Sequence, residues 1–256
     1  MPTPRCLVGG APLGSPDMDS ILVILHQTHS RTRRVGRVLR QMGYTLDIRR
    51  PCQGDPLPPT MDEHAAAVVF GGPMGVYECE EHPYLRDELD WISLALESGK
   101  PFLGICLGCQ MLAHVLGGRV WRHPDGLHEV GYYPVLPTAE GADLFESPFH
   151  AFQWHRDAFE VPRSCTLLAR GGEAFENQAF QYGANAFGVQ FHPELTPSTM
   201  VKWTAFAHEK KVPGVQPIDD LLAQKDRHEP MVRRWLGRFV DRWLGERPVH
   251  APAGGA

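Results

Sequence analysis

Short apolar runs alternate with segments of helical periodicity in the first half of this 256-residue chain, and this alternation restricts the fold more than any other feature. Ile21–Leu25, Ala65–Phe70 and Phe102–Ile105 are continuous apolar runs, which are typical of strands buried on both faces of a parallel sheet. Thr32–Met42 and Leu85–Ser98 place apolar residues three or four positions apart, which predicts helices. We therefore expect an α/β fold with an open, mainly parallel sheet flanked by helices.

The pattern changes after a further predicted helix at Leu107–Leu116. Residues 119–191 contain short strand-like pieces, which predict an antiparallel extension of the same sheet. Two helical segments follow, near Pro197–Glu209 and Met231–Leu244. We predict a single domain over residues 20–246 that lies between two flexible tails, at residues 1–19 and 247–256.

Composition restricts the partners and the cellular compartment that we expect for this chain. The formal net charge of −5 argues against nucleic acid as a partner, and no apolar run is long enough to predict a membrane span. Six cysteines without the spacing of an extracellular disulfide framework favour a reducing cytoplasm.

Two groups of basic residues are interpreted as structural. His26 and His29 form an H-x-x-H pair after the first apolar run, but no third ligand is near them in sequence, so we predict loop residues and no metal site. Five arginines in or near the first predicted helix are interpreted as a solvated helix face: Arg31, Arg33, Arg34, Arg37 and Arg40.

The segment with the most specific chemistry is Gly104-Ile-Cys-Leu-Gly108, a G-x-C-x-G motif between a strand and a helix. Cys106 would project from a tight turn, and the glycines leave room for close approach of backbone and substrate. A helix N-terminus favours the thiolate form, and the Leu107 N–H can point at an oxyanion. Gln110, four residues further on, shares a helix face with Cys106, where its amide could hold a polar substrate.

Two other interpretations of Cys106 stay open from this motif alone. A cysteine at a strand end is often a small buried residue without chemistry. Cys106 and Cys109 also form a C-x-x-C pair, which occurs in redox sites and in zinc half-sites. No second C-x-x-C pair completes a zinc site, and a redox motif leaves the glycines and Gln110 unexplained, so we predict no metal and no cofactor.

A base and its orienting carboxylate are predicted from Phe191-His-Pro-Glu194. The residue before a proline is restricted to extended conformations, so His192 and Glu194 project to the same side. Glu194 can accept a hydrogen bond from one imidazole nitrogen and leave the other facing a nucleophile. Cys106, His192 and Glu194 are therefore predicted to form a catalytic triad.

Together these motifs resemble the class I glutamine amidotransferases, and the resemblance extends over roughly residues 21–206. It is carried by three segments in the family's order: Phe70–Tyr77, Gly104–Gln110 and Gly188–Glu194. Glu129–Val135 and Phe152–Phe159 are more similar to stand-alone proteins related to the amidotransferase domain of GMP synthase. The resemblance implies a flavodoxin-like sheet.

The resemblance also implies a thioester mechanism on glutamine or another γ-glutamyl amide, with release of ammonia or an amine. Cys106 would attack the carboxamide carbon, and the backbone N–H groups of Gly72 and Leu107 would form the oxyanion hole. The α-amino and α-carboxylate groups of the substrate would be held by residues at five further positions: Met74, Gln110, Trp154, His155 and Arg156.

Three functions remain open. The first is a free-standing glutaminase or amidotransferase subunit. The chain has no P-loop and no ATP-pyrophosphatase signature, so a synthase that uses the ammonia would be a separate protein, or absent. The alternatives are a γ-glutamyl peptide hydrolase acting on glutathione-like conjugates and a non-catalytic binding or regulatory module of the same fold. Arg156 stands where related sequences usually have glycine, and it could bind a second carboxylate or point into solvent.

Overall fold

The computed structural model describes residues 20–245 and shows eleven strands and six α-helices there. The predicted tails at residues 1–19 and 247–256 lie outside the described residues. The strands are β1 (Ser20–Ile24), β2 (Thr45–Arg49), β3 (Ala66–Val69), β4 (Phe102–Ile105), β5 (Val120–Arg122), β6 (Glu129–Pro137), β7 (Phe149–His155), β8 (Asp157–Phe159), β9 (Cys165–Arg170), β10 (Asn177–Tyr182) and β11 (Ala186–Val189). The helices are α1 (Arg33–Gln41), α2 (Tyr84–Glu97), α3 (Leu107–Val115), α4 (Ala142–Phe145), α5 (Pro197–Glu209) and α6 (Ile218–Leu244).

Nine strands form one mixed sheet in the order β2-β1-β3-β4-β11-β10-β9-β6-β7. The first five of these strands pair in parallel, and the remaining four pair antiparallel. β5 and β8 form a separate two-stranded ribbon. The predicted α/β fold with an antiparallel extension is confirmed.

Helices cover both faces of the parallel part, which explains why its strands are continuously apolar. Alternate side chains of β1 enter two different cores. Ile21 packs with Leu39 of α1 and Trp235 of α6 on one face. Leu22 packs with side chains of α2 and α3 on the other face. In the described part of the chain, no helix is long and apolar enough to cross a membrane.

The parallel strands bring several chain segments to one edge of the sheet. The carboxyl ends of β1, β3, β4 and β11 lead directly to His26, Gly71, Cys106 and Gln190. Ligands of open α/β sheets bind outside the carboxyl ends of the strands. This edge is therefore the place where a site is expected.

The last helix is longer than the sequence predicts. α6 begins at Ile218 and not near Met231, and it contains Pro230. A proline removes one backbone hydrogen bond from a helix, and the sequence predicted a helix only after this proline. Burial of Leu221 before the proline and of Trp235 after it stabilises both halves of the helix against the rest of the protein.

The arginine cluster is only partly a solvated helix face. Arg31, Arg37 and Arg40 are exposed, but Arg34 is buried. The Arg34 guanidinium donates to the Glu229 carboxylate of α6 and, at 3.2 Å, to the carbonyl of Pro193. The prediction of a solvent-facing Arg34 was wrong because its buried partner lies far away in the sequence.

Candidate active site

Cys106 occupies a strained turn between β4 and α3. Its backbone angles are φ 52° and ψ −106°, a region that non-glycine residues rarely adopt. A Cβ atom on Gly104 would lie 2.4 Å from the carbonyl oxygen of Gly108, and one on Gly108 would lie 2.1 Å from that of Val69. Glycine is therefore required on both sides of the cysteine for α3 to pack against β3 and β4.

The structure brings Cys106, His192 and Glu194 together, and all three are buried. Nδ1 of His192 donates a hydrogen bond of 2.8 Å to Oε1 of Glu194. The carbonyl oxygen of Trp154 lies 3.5 Å from His192 Nε2 and 3.7 Å from Cys106 Sγ. The imidazole thus has the carboxylate on one side and the sulfur on the other.

The environment of His192 favours its protonated form. Burial by itself lowers the pKa of His192, but the Glu194 carboxylate and the neighbouring Cys106 sulfur together raise this pKa well above its ordinary value. An imidazolium beside the sulfur is suited to stabilise a thiolate and to give a proton to a leaving nitrogen.

Two buried amides complete the surroundings of the sulfur. Gln190 Nε2 lies 3.7 Å from Cys106 Sγ, and Gln190 Oε1 accepts a hydrogen bond of 3.2 Å from Gln110 Nε2. Gln110 is therefore on the predicted side of α3, but its amide already has a protein partner. Sequence reasoning missed Gln190, although its position two residues before His192 on extended chain indicates the same side.

The loop after β3 faces the cysteine and the histidine. A Cβ atom on Gly71 would lie 3.0 Å from His192 Cε1 and 3.3 Å from Cys106 Cβ. Within residues 20–245, the backbone N–H groups of Gly72 and Leu107 have no hydrogen-bond acceptor. Unpaired backbone donors of this kind could stabilise an oxyanion.

His26 lies in the loop after β1, as predicted, and is a buried partner of the loop after β3, whereas His29 is exposed. His26 Nε2 donates to Glu88 Oε2 at 2.7 Å, and Nδ1 donates to the Gly71 carbonyl at 3.3 Å. The N–H and C=O of a trans peptide point in opposite directions, so this bond directs the Gly72 N–H away from His26. Glu88 lies in α2, 62 positions along the chain.

The buried His26–Glu88 pair is expected to make stability depend on pH. Burial lowers the pKa of His26, but Glu88 and the backbone carbonyls of the loop raise it above its ordinary value overall. Because the folded-state pKa is the higher one, the contribution to stability is fully present below the unfolded value near 6.5 and is lost as pH rises through the folded-state pKa.

The measurement is urea unfolding of the wild type and of His26→Asn/Glu88→Gln from pH 5.5 to 9. We expect the wild type to lose more stability across this range than the double variant does. His192 contributes to the pH dependence of stability in both proteins. The difference between their two pH profiles therefore reports on the His26–Glu88 pair. Parallel pH profiles for the two proteins would contradict the assignment.

The other predicted substrate-binding residues have different surroundings. Met74 is buried in the loop after β3, and Trp154 contributes its carbonyl oxygen to the site. The His155 side chain lies 3.1 Å from Glu129 Oε2 and packs edge-on against Phe175. Side chains alternate along β7, so His155 projects to the side opposite from Trp154.

Arg156 is already ion-paired. Its Nη2 lies 3.0 Å from Glu78 Oε1, and its Nε lies 3.9 Å from Asp157 Oδ1. The second oxygen of Glu78 accepts a hydrogen bond of 2.9 Å from the Gly75 N–H, in the loop that contains Gly72. Arg156 therefore contacts this loop through Glu78.

Cys109 has the character of a core residue. It is fully buried among apolar side chains of the α2–α3 face, and burial raises the pKa of its thiol well above the ordinary value. Cys106 and Cys109 are both free thiols. This environment does not favour the redox interpretation of the C-x-x-C pair.

Comparison with known proteins agrees with these observations. Residues 23–208 match the family model for class-I glutamine amidotransferases. The chain is 33% identical over 181 residues to YfeJ, a glutamine amidotransferase-like protein of Salmonella typhimurium, and the match covers 68% of this chain and 74% of YfeJ. The crystal structure of a glutamine amidotransferase from Thermotoga maritima shares 33% identity, with a TM-score of 0.79 over 90% of this chain and 99% of that chain.

A larger enzyme contains a related segment. The glutamine-hydrolysing GMP synthase of Aeropyrum pernix is 34% identical over 164 residues, which are 63% of this chain but only 30% of that enzyme. A crystal structure of a Methylobacillus flagellatus glutamine amidotransferase shares the fold, with a TM-score of 0.80 over 93% of this chain at 23% identity.

Proposed function

Because this chain belongs to the class I glutamine amidotransferase family, we propose that it hydrolyses the side-chain amide of glutamine or of another γ-glutamyl amide through a thioester on Cys106. The observation that carries the proposal is the strained Cys106 beside the buried His192–Glu194 pair. A non-catalytic module would have no need to keep a nucleophile in a disfavoured backbone conformation.

The first half of the proposed reaction forms the thioester. The Cys106 sulfur attacks the carboxamide carbon, and the negative charge that develops on the carboxamide oxygen is stabilised by the N–H groups of Gly72 and Leu107. His192 then transfers its proton to the leaving nitrogen while the C–N bond breaks. Ammonia or an amine departs, and a γ-glutamyl thioester remains.

The second half releases the acid. His192, now neutral, takes a proton from water as the water oxygen attacks the thioester carbon. The C–S bond breaks, glutamate leaves, and the proton on His192 again faces the Cys106 sulfur. Glu194 stays ionised and keeps the Nδ1 proton of the imidazole in place through both halves.

We also propose that the protein can associate with an ammonia-using synthase, since a related segment forms 30% of the glutamine-hydrolysing GMP synthase of Aeropyrum pernix. The free cysteines of the described part of the chain support a reducing cytoplasm as the setting. We expect the protein alone to turn over free glutamine slowly. Turnover is expected to be faster on some other γ-glutamyl amide, or on glutamine when a partner protein is present.

The function is tested by measuring ammonia or amine release from glutamine, γ-glutamyl dipeptides and γ-glutamyl tripeptides. Saturable release from at least one of these substrates is expected. If free glutamine is the fastest substrate when no partner is present, the protein is neither controlled by a partner nor specific for another γ-glutamyl amide. If none is hydrolysed, the hydrolase proposal itself fails.

The role of Arg156 gives a separate prediction. Because its guanidinium is engaged by Glu78, Arg156→Gly is expected to lower kcat/KM for glutamine and for a γ-glutamyl tripeptide by a similar factor, about tenfold, which corresponds to about 1.4 kcal/mol. Glu78→Gln is the matched variant and should act in the same way. If kcat/KM falls for the tripeptide only, Arg156 instead binds a second carboxylate of the substrate.

A further inference from the structure

A cleft of about 680 Å³ opens beside the candidate site, at the carboxyl ends of β1 and β2. Five arginines line it: Arg31, Arg33, Arg37, Arg40 and Arg50. They reach it from two chain segments, since Arg50 follows β2 and the others lie in or just before α1. A group of positive charges is unexpected in a chain with a formal net charge of −5.

These five guanidinium groups lack carboxylate partners. None of them forms an ion pair with an acidic side chain in the part of the chain from Ser20 to Gly245. By contrast, the neighbouring Arg34 and Arg49 are both paired. Concave surfaces of one charge concentrate the electrostatic potential and attract ligands of the opposite charge.

Two further features indicate a ligand site at this position. Nε of Arg50 is buried and has no acceptor among the described residues, which is a costly state for a charged donor. Arg33 has a φ of 45°, and backbone strain of this kind in a non-glycine residue is concentrated at ligand sites. The two residues come from different segments, and both line the cleft.

We propose that this cleft binds a small molecule that carries a phosphate-class anion with at least two negative charges. Guanidinium forks match phosphate oxygens in geometry, and polar residues of the same cleft include Ser30, Thr32 and Thr196. The N-terminus of α1, which also opens here, favours negative charge. The volume of the cleft, about 680 Å³, is in the range of small-molecule sites.

The cleft adjoins the segments that carry the candidate catalytic groups. Thr196 follows Glu194 by two residues, and the Arg34 N–H donates to the Glu194 carbonyl at 3.0 Å. Leu25, which also lines the cleft, immediately precedes His26. A bound anion would therefore contact both chain segments that hold the site, while it leaves the cysteine itself free.

Pyrophosphate is the probe for this site, and isothermal titration at constant ionic strength is the measurement. The titration uses Cys106→Ala, so that its outcome does not depend on the proposed hydrolysis. We expect saturable binding that Arg37→Gln/Arg40→Gln weakens by about tenfold or more, because two charge-assisted contacts are lost. Both side chains are exposed, so neither change disturbs the core.

The matched control is Arg86→Gln/Arg163→Gln, which removes the same charge from two exposed sites outside the cleft and should leave the affinity unchanged. If both double variants lose the same amount of affinity, the effect comes from net charge alone and the proposed site is overturned. Absence of saturable pyrophosphate binding would overturn it as well. Binding of an acidic peptide without binding of pyrophosphate would assign the cleft to a protein partner and reject a small-molecule site.

Discussion

Replacing Cys106 with alanine is expected to lower the turnover of any amide substrate by a factor on the order of 10⁴ or more. The side chain supplies the proposed nucleophile, and its sulfur lies beside the buried His192–Glu194 pair. Ammonia or amine release under saturating substrate measures the loss. The substrate should still bind, because the amide groups and the loop after β3 are unchanged.

Cys109→Ala is the control for this experiment. Its thiol lies in the core on the α2–α3 face, so its removal is expected to cost some stability but to leave turnover within about tenfold of the wild type. Comparable activity in Cys106→Ala and the wild type would contradict the thioester mechanism. An equal loss in both variants would point to damaged folding of α3.

Removing Arg34 is expected to have the largest effect on stability. Its guanidinium pairs with Glu229 in the protein interior, where the side chains keep only 9% and 6% of their exposure. Among residues 20–245, Arg34→Met leaves the buried Glu229 carboxylate with only Tyr132 as a partner, at 3.2 Å. Loss of one partner of a buried ion pair costs about 3–5 kcal/mol, and urea unfolding measures it.

A second variant distinguishes the charge effect from lost packing. Arg34→Met/Glu229→Met removes both charges and is expected to recover most of the loss, since apolar replacements of a buried pair are often nearly neutral. Arg37→Met changes an exposed arginine of the same helix and should alter stability by no more than about 0.5 kcal/mol. A single-variant cost below about 1 kcal/mol would contradict the proposed role of the pair.

The parts of the molecule that are predictable from sequence are those in which local pattern and final structure agree. Continuous apolar runs predicted β1, β3 and β4, because burial on both faces leaves no polar position in a strand. The proximity of Cys106, His192 and Glu194 was predictable because a tight turn and a proline fix the directions of their side chains within a few residues. The geometry that holds them is local.

The features that were missed depend on partners distant in the chain. Glu88 lies 62 positions from His26, and Glu229 lies 195 positions from Arg34. No periodicity within α1 distinguishes the buried arginine from its exposed neighbours. Burial of these side chains is decided by the helix that packs over them, and that is a property of the tertiary structure.

The burial of Cys109 has a consequence for oxidative damage. A nucleophilic cysteine is open to oxidation to a sulfenic acid, which a nearby thiolate can convert to a disulfide that reductants repair. The pKa of Cys109 lies well above its ordinary value, so this neighbour stays a thiol at neutral pH and reacts slowly with an oxidised partner. Its sulfur also packs toward β11, 2.9 Å from where a Cβ atom on Gly188 would lie. Cys109 is therefore not expected to repair an oxidised Cys106.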